Sequence, residues 1–152
     1  MELRLLPLVT ALALATAVPA WAQAGKTCTP TRADSLGPFY IANAPVRAKT
    51  GTGHLLTGTV RSSRSCAKIV RAKVELWHAG PAGDYGPRWR ATLFSTAAGT
   101  YRFESINPPP YGGRPRHLHI RVSARGFSTL VTQYYPKAGQ TRGRFDLVLV
   151  PR

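Results

Sequence analysis

Lys73-Val74-Glu75-Leu76-Trp77-His78 alternates polar and apolar side chains, and this period of two predicts a β-strand. Similar short runs, rich in β-branched and aromatic residues, recur along the chain between turns that contain glycine or proline. They cover residues 55–60, 88–95, 100–106, 118–124, 128–135 and 145–150. Because no amphipathic helix accompanies them, the sequence predicts a single-domain, all-β sandwich of seven or eight short strands.

The N-terminal residues differ in composition from the rest of the 152-residue chain. Residues 5–17 form an apolar run, and Ala20-Trp21-Ala22 is typical of a small-x-small cleavage site. We therefore expect residues 1–22 to be a secretory signal peptide, and residues 23–152 to be one domain of a secreted or periplasmic protein. A retained membrane anchor is the alternative, but the run is short for a bilayer span, and no span is expected after cleavage.

Basic residues dominate the charge of the chain. Twenty-one Lys and Arg against six Asp and Glu give a formal net charge of +15, which attracts anions. The basic residues are spread along the chain and form no known nucleic-acid-binding motif with the aromatic residues, which argues against nucleic acid as a partner. Anionic substrates, polyanionic or aromatic polymers and cell-envelope material are the expected partner classes.

The segment before the first strand combines turn residues with one of the two cysteines, Cys28. Proline and glycine in residues 29–40 exclude a long helix and predict an extended N-terminal arm that lies over the sandwich. Export to an oxidising compartment would allow a disulfide between Cys28 and Cys66. A free, buried Cys66 thiol is the alternative.

The stretch Pro108-Pro109-Pro110-Tyr111-Gly112-Gly113-Arg114-Pro115-Arg116-His117-Leu118-His119-Ile120 concentrates reactive side chains. Residues two apart on a strand share a face, so His117 and His119 should project to one side, either as half of a metal site or as a solvated face. Acidic residues are scarce, which leaves few carboxylates for a zinc or calcium site. Tyr85 and Tyr111 lie in loops, and a phenolate oxygen suits Fe(III). A zinc or copper site that uses the histidines is a weaker alternative.

Other motifs extend this pattern in order along the chain: Gly37-Pro38-Phe39-Tyr40, Ala72-Lys73-Val74-Glu75-Leu76-Trp77-His78-Ala79, Gly83-Asp84-Tyr85, Pro110-Tyr111, Arg114-Pro115, His117-Leu118-His119 and Leu130-Val131-Thr132-Gln133. Together they resemble the motifs of the intradiol ring-cleavage dioxygenases, the ferric enzymes that open catechols between the two hydroxyl groups. The resemblance covers most of residues 23–152. It implies a prealbumin-like β-sandwich with an N-terminal arm, and an oxidoreductase that uses O2 to degrade catecholic aromatics to cis,cis-muconate-type products.

The resemblance also implies a role for each matching residue. Fe(III) would be bound by the four residues Tyr85, Tyr111, His117 and His119. The substrate would displace Tyr111, and Arg114 would stabilise negative charge on the ring as oxygen attacks. Gln133 would offer a neutral hydrogen bond in the pocket. Independently of the resemblance, one of the two tyrosines that follow it should point toward the site and its neighbour away, because alternate residues of a strand share a face. Substrate contacts are expected from the arm residues Gly37, Pro38 and Tyr40.

The chain also departs from the larger members of this family. It is much shorter, it has no helical dimerisation region, and only Gly112-Gly113 separates Tyr111 from Arg114, so we expect a shallow, open site. These departures leave the identity of the catechol and the oligomeric state undetermined. The alternative function is a non-catalytic, prealbumin-like binding module whose basic surface binds a polyanion.

Overall fold

The computed structural model describes residues 26–152, so the expected signal peptide lies outside the described residues. The described residues form eight strands: β1 (His54–Ser62), β2 (Lys73–His78), β3 (Arg90–Phe94), β4 (Thr100–Ser105), β5 (Leu118–Ser123), β6 (Leu130–Tyr134), β7 (Arg142–Arg144) and β8 (Leu147–Leu149). Within residues 26–152 the one helical element is a 3-10 turn at Pro87–Trp89. No helix in that range is long and apolar enough to cross a membrane. The prediction of an all-β fold is confirmed.

The strands form two sheets that enclose one core. In the first sheet, β1 pairs with β4 on one side and with β7 and then β8 on the other. The second sheet is antiparallel throughout, in the order β3-β2-β5-β6. Both sheets contribute large, fully buried side chains to the core, among them Phe103 and Leu56 from the first and Leu76 and Ile120 from the second. Burial of this apolar surface is the main force that stabilises the sandwich.

The N-terminal arm, residues 28–50, covers the open edges of both sheets. Its backbone hydrogen-bonds to Val148 of β8, Val131 of β6, Thr92 of β3 and Glu104 of β4. Because exposed strand edges have unpaired backbone groups, these bonds protect both sheets from pairing with other chains. The arm begins at Cys28, which forms a disulfide with Cys66.

Two local predictions are wrong. Residues 145–150 do not form one strand, because the Asp146 carboxylate accepts a hydrogen bond from the Thr59 backbone N–H (2.9 Å) and interrupts the ladder between β7 and β8. His54 lies just outside the strand predicted for residues 55–60, but it is the first residue of β1 and is fully buried. Its Nδ1 lies 2.7 Å from the Gln140 carbonyl oxygen, and its ring packs on Tyr134.

The second sheet fixes the position of the candidate site. Its two central strands, β2 and β5, place Trp77 directly opposite His119, and β6 places Gln133 on the other side of His119. The three side chains therefore form a row across neighbouring strands. This row lies at the end of the sandwich where β2 ends and β5 begins, which is also where the loops before β3 and β5 meet the arm.

Candidate metal centre and active site

His119 is held on the central strand of the second sheet by packing against its ring. The Trp77 indole stacks on the imidazole with ring centroids 4.9 Å apart and planes 3° from parallel. Gly37 of the arm packs against the same ring, and a Cβ atom at this glycine would lie 2.9 Å from His119 Cε1. His119 Nδ1 is buried and has no hydrogen-bond partner among the described residues. The imidazole is therefore fixed in place by packing, while its Nδ1 atom forms no hydrogen bond with the described residues.

The sequence pattern predicts His117 within the strand, but β5 begins one residue later, at Leu118. The His117 ring nevertheless lies next to that of His119, with ring centroids 4.8 Å apart. Its Nδ1 lies 2.7 Å from the Pro115 carbonyl oxygen, which can only accept a hydrogen bond. This contact assigns the proton to Nδ1 and leaves a lone pair on Nε2, as in a metal-ligating histidine.

Tyr85 reaches the histidines from the loop between β2 and β3. Its hydroxyl lies 3.2 Å from His117 Nε2. The buried Arg90 guanidinium donates to the Tyr85 carbonyl (2.6 Å) and to the Phe39 carbonyl, and so joins the loop to the arm. Phe39 stacks on the Tyr85 ring at 4.3 Å, which limits the movement of the phenol. Two unrelated segments thus position this side chain.

Tyr111 stands on a tight turn formed by the two glycines. The Arg114 N–H donates to the Tyr111 carbonyl (2.9 Å), and Gly112 and Gly113 have φ values of +58° and +75°. Positive φ at both central residues defines a type I′ turn, which favours glycine at these positions. Apart from the chain neighbours of each glycine, no heavy atom of residues 26–152 lies within 4 Å of a Cβ placed on either one, so this side of the site is open, as predicted.

The four aromatic rings converge on one cavity of about 200 Å³. The Tyr85 ring centroid lies 5.1 Å from that of Tyr111 and 6.0 Å from that of His119. Within residues 26–152 no group of three or more His, Cys, Asp or Glu residues could hold a metal ion. A metal here would therefore need the phenol oxygens as well as the imidazoles. Two imidazoles and two phenols are a donor set that fits Fe(III), a hard, trivalent ion.

Burial sets the protonation of the four groups in the described protein. It lowers the pKa of His119 to about 4, with a further contribution from His117, and it lowers the pKa of His117 as well. Both imidazoles are therefore neutral near pH 7, which is the ligating form. Burial, followed by the nearby Tyr111, raises the pKa of Tyr85. A bound cation would act in the opposite direction and favour the phenolate.

Arg114 lines the same cavity and is held by groups on β6 and just beyond it. Its Nη2 lies 2.9 Å from Gln133 Oε1 and 3.0 Å from the Tyr135 hydroxyl. Gln133 Nε2 donates to the Ser35 carbonyl of the arm (2.6 Å). Protein groups thus contact both ends of the Gln133 amide, whereas the sequence predicted a hydrogen bond from Gln133 to the substrate.

The arm contributes two of the three predicted residues, and a third that was not predicted. Gly37 and Pro38 line the cavity, as expected, and Phe39 lines it too. Tyr40 does not: its hydroxyl donates to Glu75 Oε1 (3.2 Å), and its ring packs on Trp77. The prediction of a substrate contact from Tyr40 therefore has no support in the geometry.

Glu75, the partner of Tyr40, is a buried carboxylate outside the cavity. It pairs with Lys73 (3.0 Å) and Arg121 (2.6 Å). Burial alone would raise the pKa of Glu75, but the hydrogen bonds from the two cations outweigh it and lower the pKa below the ordinary value. Tyr40 thus belongs to a structural ion-pair network on the far side of Trp77.

Sequence reasoning missed Phe39, Asp34 and the role of Trp77. Period two on β6 did predict that one of the two tyrosines after Gln133 faces the site, and that residue is Tyr135, whose hydroxyl donates to Asp34 Oδ2 (2.7 Å). No local signal marks Asp34 as its partner, because the two residues are 101 positions apart. Trp77 could have been found from its register position opposite His119.

Comparison with known proteins identifies relatives of this arrangement. No family model matches the chain. It is 29% identical to the catechol 1,2-dioxygenase of Candida albicans, over 82% of this chain and 53% of that protein. It is 33% identical to catechol 1,2-dioxygenase 2 of Acinetobacter lwoffii (64% and 48% covered) and 28% identical to the hydroxyquinol 1,2-dioxygenase of Rhodococcus opacus (78% and 50%). The chain spans about half the length of these curated relatives.

Solved structures agree with these relatives. One is the dioxygenase domain of a dioxygenase–carbohydrate-binding protein fusion from Streptomyces sp. SirexAA-E. It is 25% identical to this chain with a TM-score of 0.73, and the match covers 82% of this chain and all of that domain. An intradiol ring-cleavage dioxygenase from Tetranychus urticae, 19% identical, shares the fold, with a TM-score of 0.71, covering 82% of this chain and 96% of that one. The chain thus resembles the catechol and hydroxyquinol 1,2-dioxygenases in sequence and the solved intradiol dioxygenase domains in fold.

Proposed function

We propose that this chain is a non-haem Fe(III) intradiol dioxygenase that cleaves small catechols with O2 to cis,cis-muconate-type products. The observation that supports this most is the convergence of Tyr85, Tyr111, His117 and His119 on one cavity beside Arg114. A binding module has no need for two phenols and two imidazoles oriented toward one point. The alternative of a non-catalytic module is therefore disfavoured.

Ferric iron bound by these four residues would act as a Lewis acid that accepts both catecholate oxygens and makes the ring reactive toward O2. The cavity, about 200 Å³, is smaller than most ligand pockets, which suits a single aromatic ring. Phe39 and Pro38 provide apolar surface beside it, while Arg114 provides a fixed positive charge. The site would therefore bind a planar catechol and stabilise its anionic form.

The two tyrosines would have different roles. Tyr85 is confined by Phe39 and by the bond from Arg90 to its carbonyl, so we assign it as a permanent ligand. Tyr111 stands on the open glycine turn and is freer to move, so its phenolate oxygen would accept a proton from the incoming catechol and become a neutral phenol. Arg114 would then face negative charge on the bound ring.

Oxygen uptake with product analysis tests this proposal. Protein reconstituted with ferric iron is assayed in an oxygen electrode with catechol, protocatechuate and hydroxyquinol. We expect one O2 consumed per ring opened between the hydroxyls with at least one of them, and loss of uptake in Tyr85→Phe and His119→Ala. Iron-loaded protein that consumes no O2 with any catechol would overturn the proposal.

We also propose that the protein acts outside the cytosol, in the secreted or periplasmic compartment. The disulfide between Cys28 and Cys66 supports this, because such bonds persist in oxidising compartments. N-terminal sequencing of protein from culture fractions is the test. A mature N-terminus at Gln23 is expected, and an uncleaved chain in the cytosol would contradict the proposal.

A further inference from the structure

One end of the Arg114 guanidinium is fully used by protein partners. Its Nη2 atom has two hydrogens, and its two acceptors are Gln133 Oε1 (2.9 Å) and the Tyr135 hydroxyl oxygen (3.0 Å). Tyr135 has a single hydroxyl hydrogen and two acceptors in reach, Asp34 Oδ2 (2.7 Å) and Gln133 Oε1 (2.9 Å); we assign the hydrogen to the closer, charged acceptor, Asp34. The donors and acceptors thus form an ordered chain from Arg114 through Tyr135 to Asp34.

The opposite end of the guanidinium remains available. Among residues 26–152, Arg114 Nη1 and Nε have no hydrogen-bond acceptor, whereas Nη2 has two. A guanidinium presents five N–H donors in a rigid plane, so fixing Nη2 also fixes the direction of the other three. Arg114 lines the cavity of the candidate metal centre. The hydrogen bonds at Nη2 therefore set the direction in which the Nη1 and Nε donors point toward an anion bound in the cavity.

The arm anchors this chain of bonds. Asp34 is attached to β6 by the bond from its N–H to the Val131 carbonyl, and Ser35 accepts from Gln133 Nε2. The Asp34 carboxylate also lies at the far end of the chain from the Arg114 cation, so their charges are complementary across the Tyr135 hydroxyl. A hydroxyl between a cation and a carboxylate is polarised by both.

We propose that Asp34 and Tyr135 are positioning residues that orient Arg114 so that its Nη1 and Nε donors face the catecholate. This inference rests on the proposed function, because it assigns the substrate as the group that Arg114 meets. Among the described residues, neither Asp34 nor Tyr135 forms a hydrogen bond with any of the four proposed iron ligands. Tyr135 also contacts Gln133 Oε1 (2.9 Å), and its ring centroid lies 6.2 Å from that of His117, so a double-mutant cycle is needed to isolate the part of its effect that passes through Arg114.

A double-mutant cycle tests this. Tyr135→Phe removes the hydroxyl and should lower kcat/KM for catechol about 10-fold, the size expected for a hydrogen bond to a charged group. Arg114→Ala should lower it about 100-fold, as for loss of one charge-stabilising donor. If Tyr135 acts through Arg114, Tyr135→Phe should have little further effect in the Arg114→Ala background. Equal effects in the two backgrounds would overturn the proposal.

Two further variants separate positioning from general structural damage. Tyr134→Phe removes the hydroxyl of the neighbouring residue. That hydroxyl accepts a hydrogen bond from Gln140 Nε2 away from the cavity, so the substitution should leave kcat/KM unchanged. Asp34→Ala should resemble Tyr135→Phe, while Asp34→Asn, whose amide oxygen still accepts from Tyr135, should recover most of the loss. A failure of Asp34→Asn to recover activity while the protein remains folded would contradict the assigned hydrogen bond.

Binding of 4-nitrocatechol distinguishes a failure of this inference from a failure of the proposed function. The probe is titrated optically into iron-loaded wild type, Tyr135→Phe and Arg114→Ala. We expect weaker binding in both variants, by about 10-fold for Tyr135→Phe. Unchanged affinity in an active enzyme would overturn the positioning role alone. If the wild type consumes no O2 but the affinities differ as expected, the proposed function fails and the orientation of Arg114 stands.

Discussion

Gly37→Ala is the substitution that most directly perturbs His119 without altering any polar group of the site. An alanine Cβ at this position would lie 2.9 Å from His119 Cε1, whereas ordinary van der Waals contact begins near 3.4 Å. The arm or the imidazole must therefore move by about 0.5 Å, as the difference between these two distances requires. Trp77 stacks on the same imidazole, which limits how far the ring can retreat.

The substitution has a second cost that is independent of His119. Gly37 has a φ of +69°, where a residue with a Cβ is strained by about 1–2 kcal/mol, partly offset by lower entropy of the unfolded chain. Gly139 is a matched control, because its φ is +71° and a Cβ placed on it would have no heavy atom within 4 Å. Gly139→Ala should thus lose about 1 kcal/mol of unfolding free energy. Gly37→Ala should lose a further 1–3 kcal/mol or so from overpacking.

Chemical denaturation and iron titration measure the two consequences separately. Displacing a ligand's support typically lowers metal affinity by roughly 10-fold or more. We expect that loss of Fe(III) affinity in Gly37→Ala and none in Gly139→Ala. Equal losses of stability and of iron affinity in the two variants would refute the reasoning that Gly37 positions His119.

Three other predictions concern the disulfide, the Glu75 ion pairs and the two aromatic residues of the arm. Replacing Cys28 and Cys66 by serine should cost about 4 kcal/mol of unfolding free energy, from the entropy of a 38-residue loop, measured by urea denaturation; an unchanged midpoint would contradict it. Because its pKa is lowered in the folded state, Glu75 stabilises the protein above its ordinary pKa of 4.5, and this is lost as pH falls through the lowered value. Glu75→Gln should therefore lose roughly 2 kcal/mol at pH 7 and progressively less as the pH falls below 4.5, whereas a pH-independent loss would argue against the ion pairs. Phe39→Leu should raise KM for catechol several-fold, while Tyr40→Phe should leave it unchanged; the reverse result would restore the contact predicted from sequence.

The strands and most of the cavity were predictable because local patterns determine them. The alternation of residues 73–78 matches β2 residue for residue, and the His-x-His spacing brings two imidazoles to one side of the sheet. Period two also predicted that one of the two tyrosines after Gln133 faces the site, and in the structure that residue is Tyr135. Burial fixes the register of these strands, and in β2 five of the six residues are buried, on both faces.

The remaining features depend on contacts between distant parts of the chain. His54 is buried because Gln140, 86 residues away, accepts its hydrogen bond, and no local pattern predicts that partner. The arm is not a strand, so period two could not decide whether Phe39 or Tyr40 faces the cavity. The Gly112-Gly113 pair predicts a missing wall, and the structure adds that the type I′ turn itself requires glycine there.

The visible absorption of the ferric protein tests the central claim most directly. If Tyr85 and Tyr111 bind Fe(III) as phenolates, reconstituted protein should be red to purple from charge transfer between phenolate and iron, and the band should weaken in Tyr85→Phe and Tyr111→Phe. Tyr134→Phe, in which the altered hydroxyl contacts Gln140, should keep the full band. Protein that binds one ferric ion per chain and remains colourless would contradict the two-tyrosine, two-histidine site.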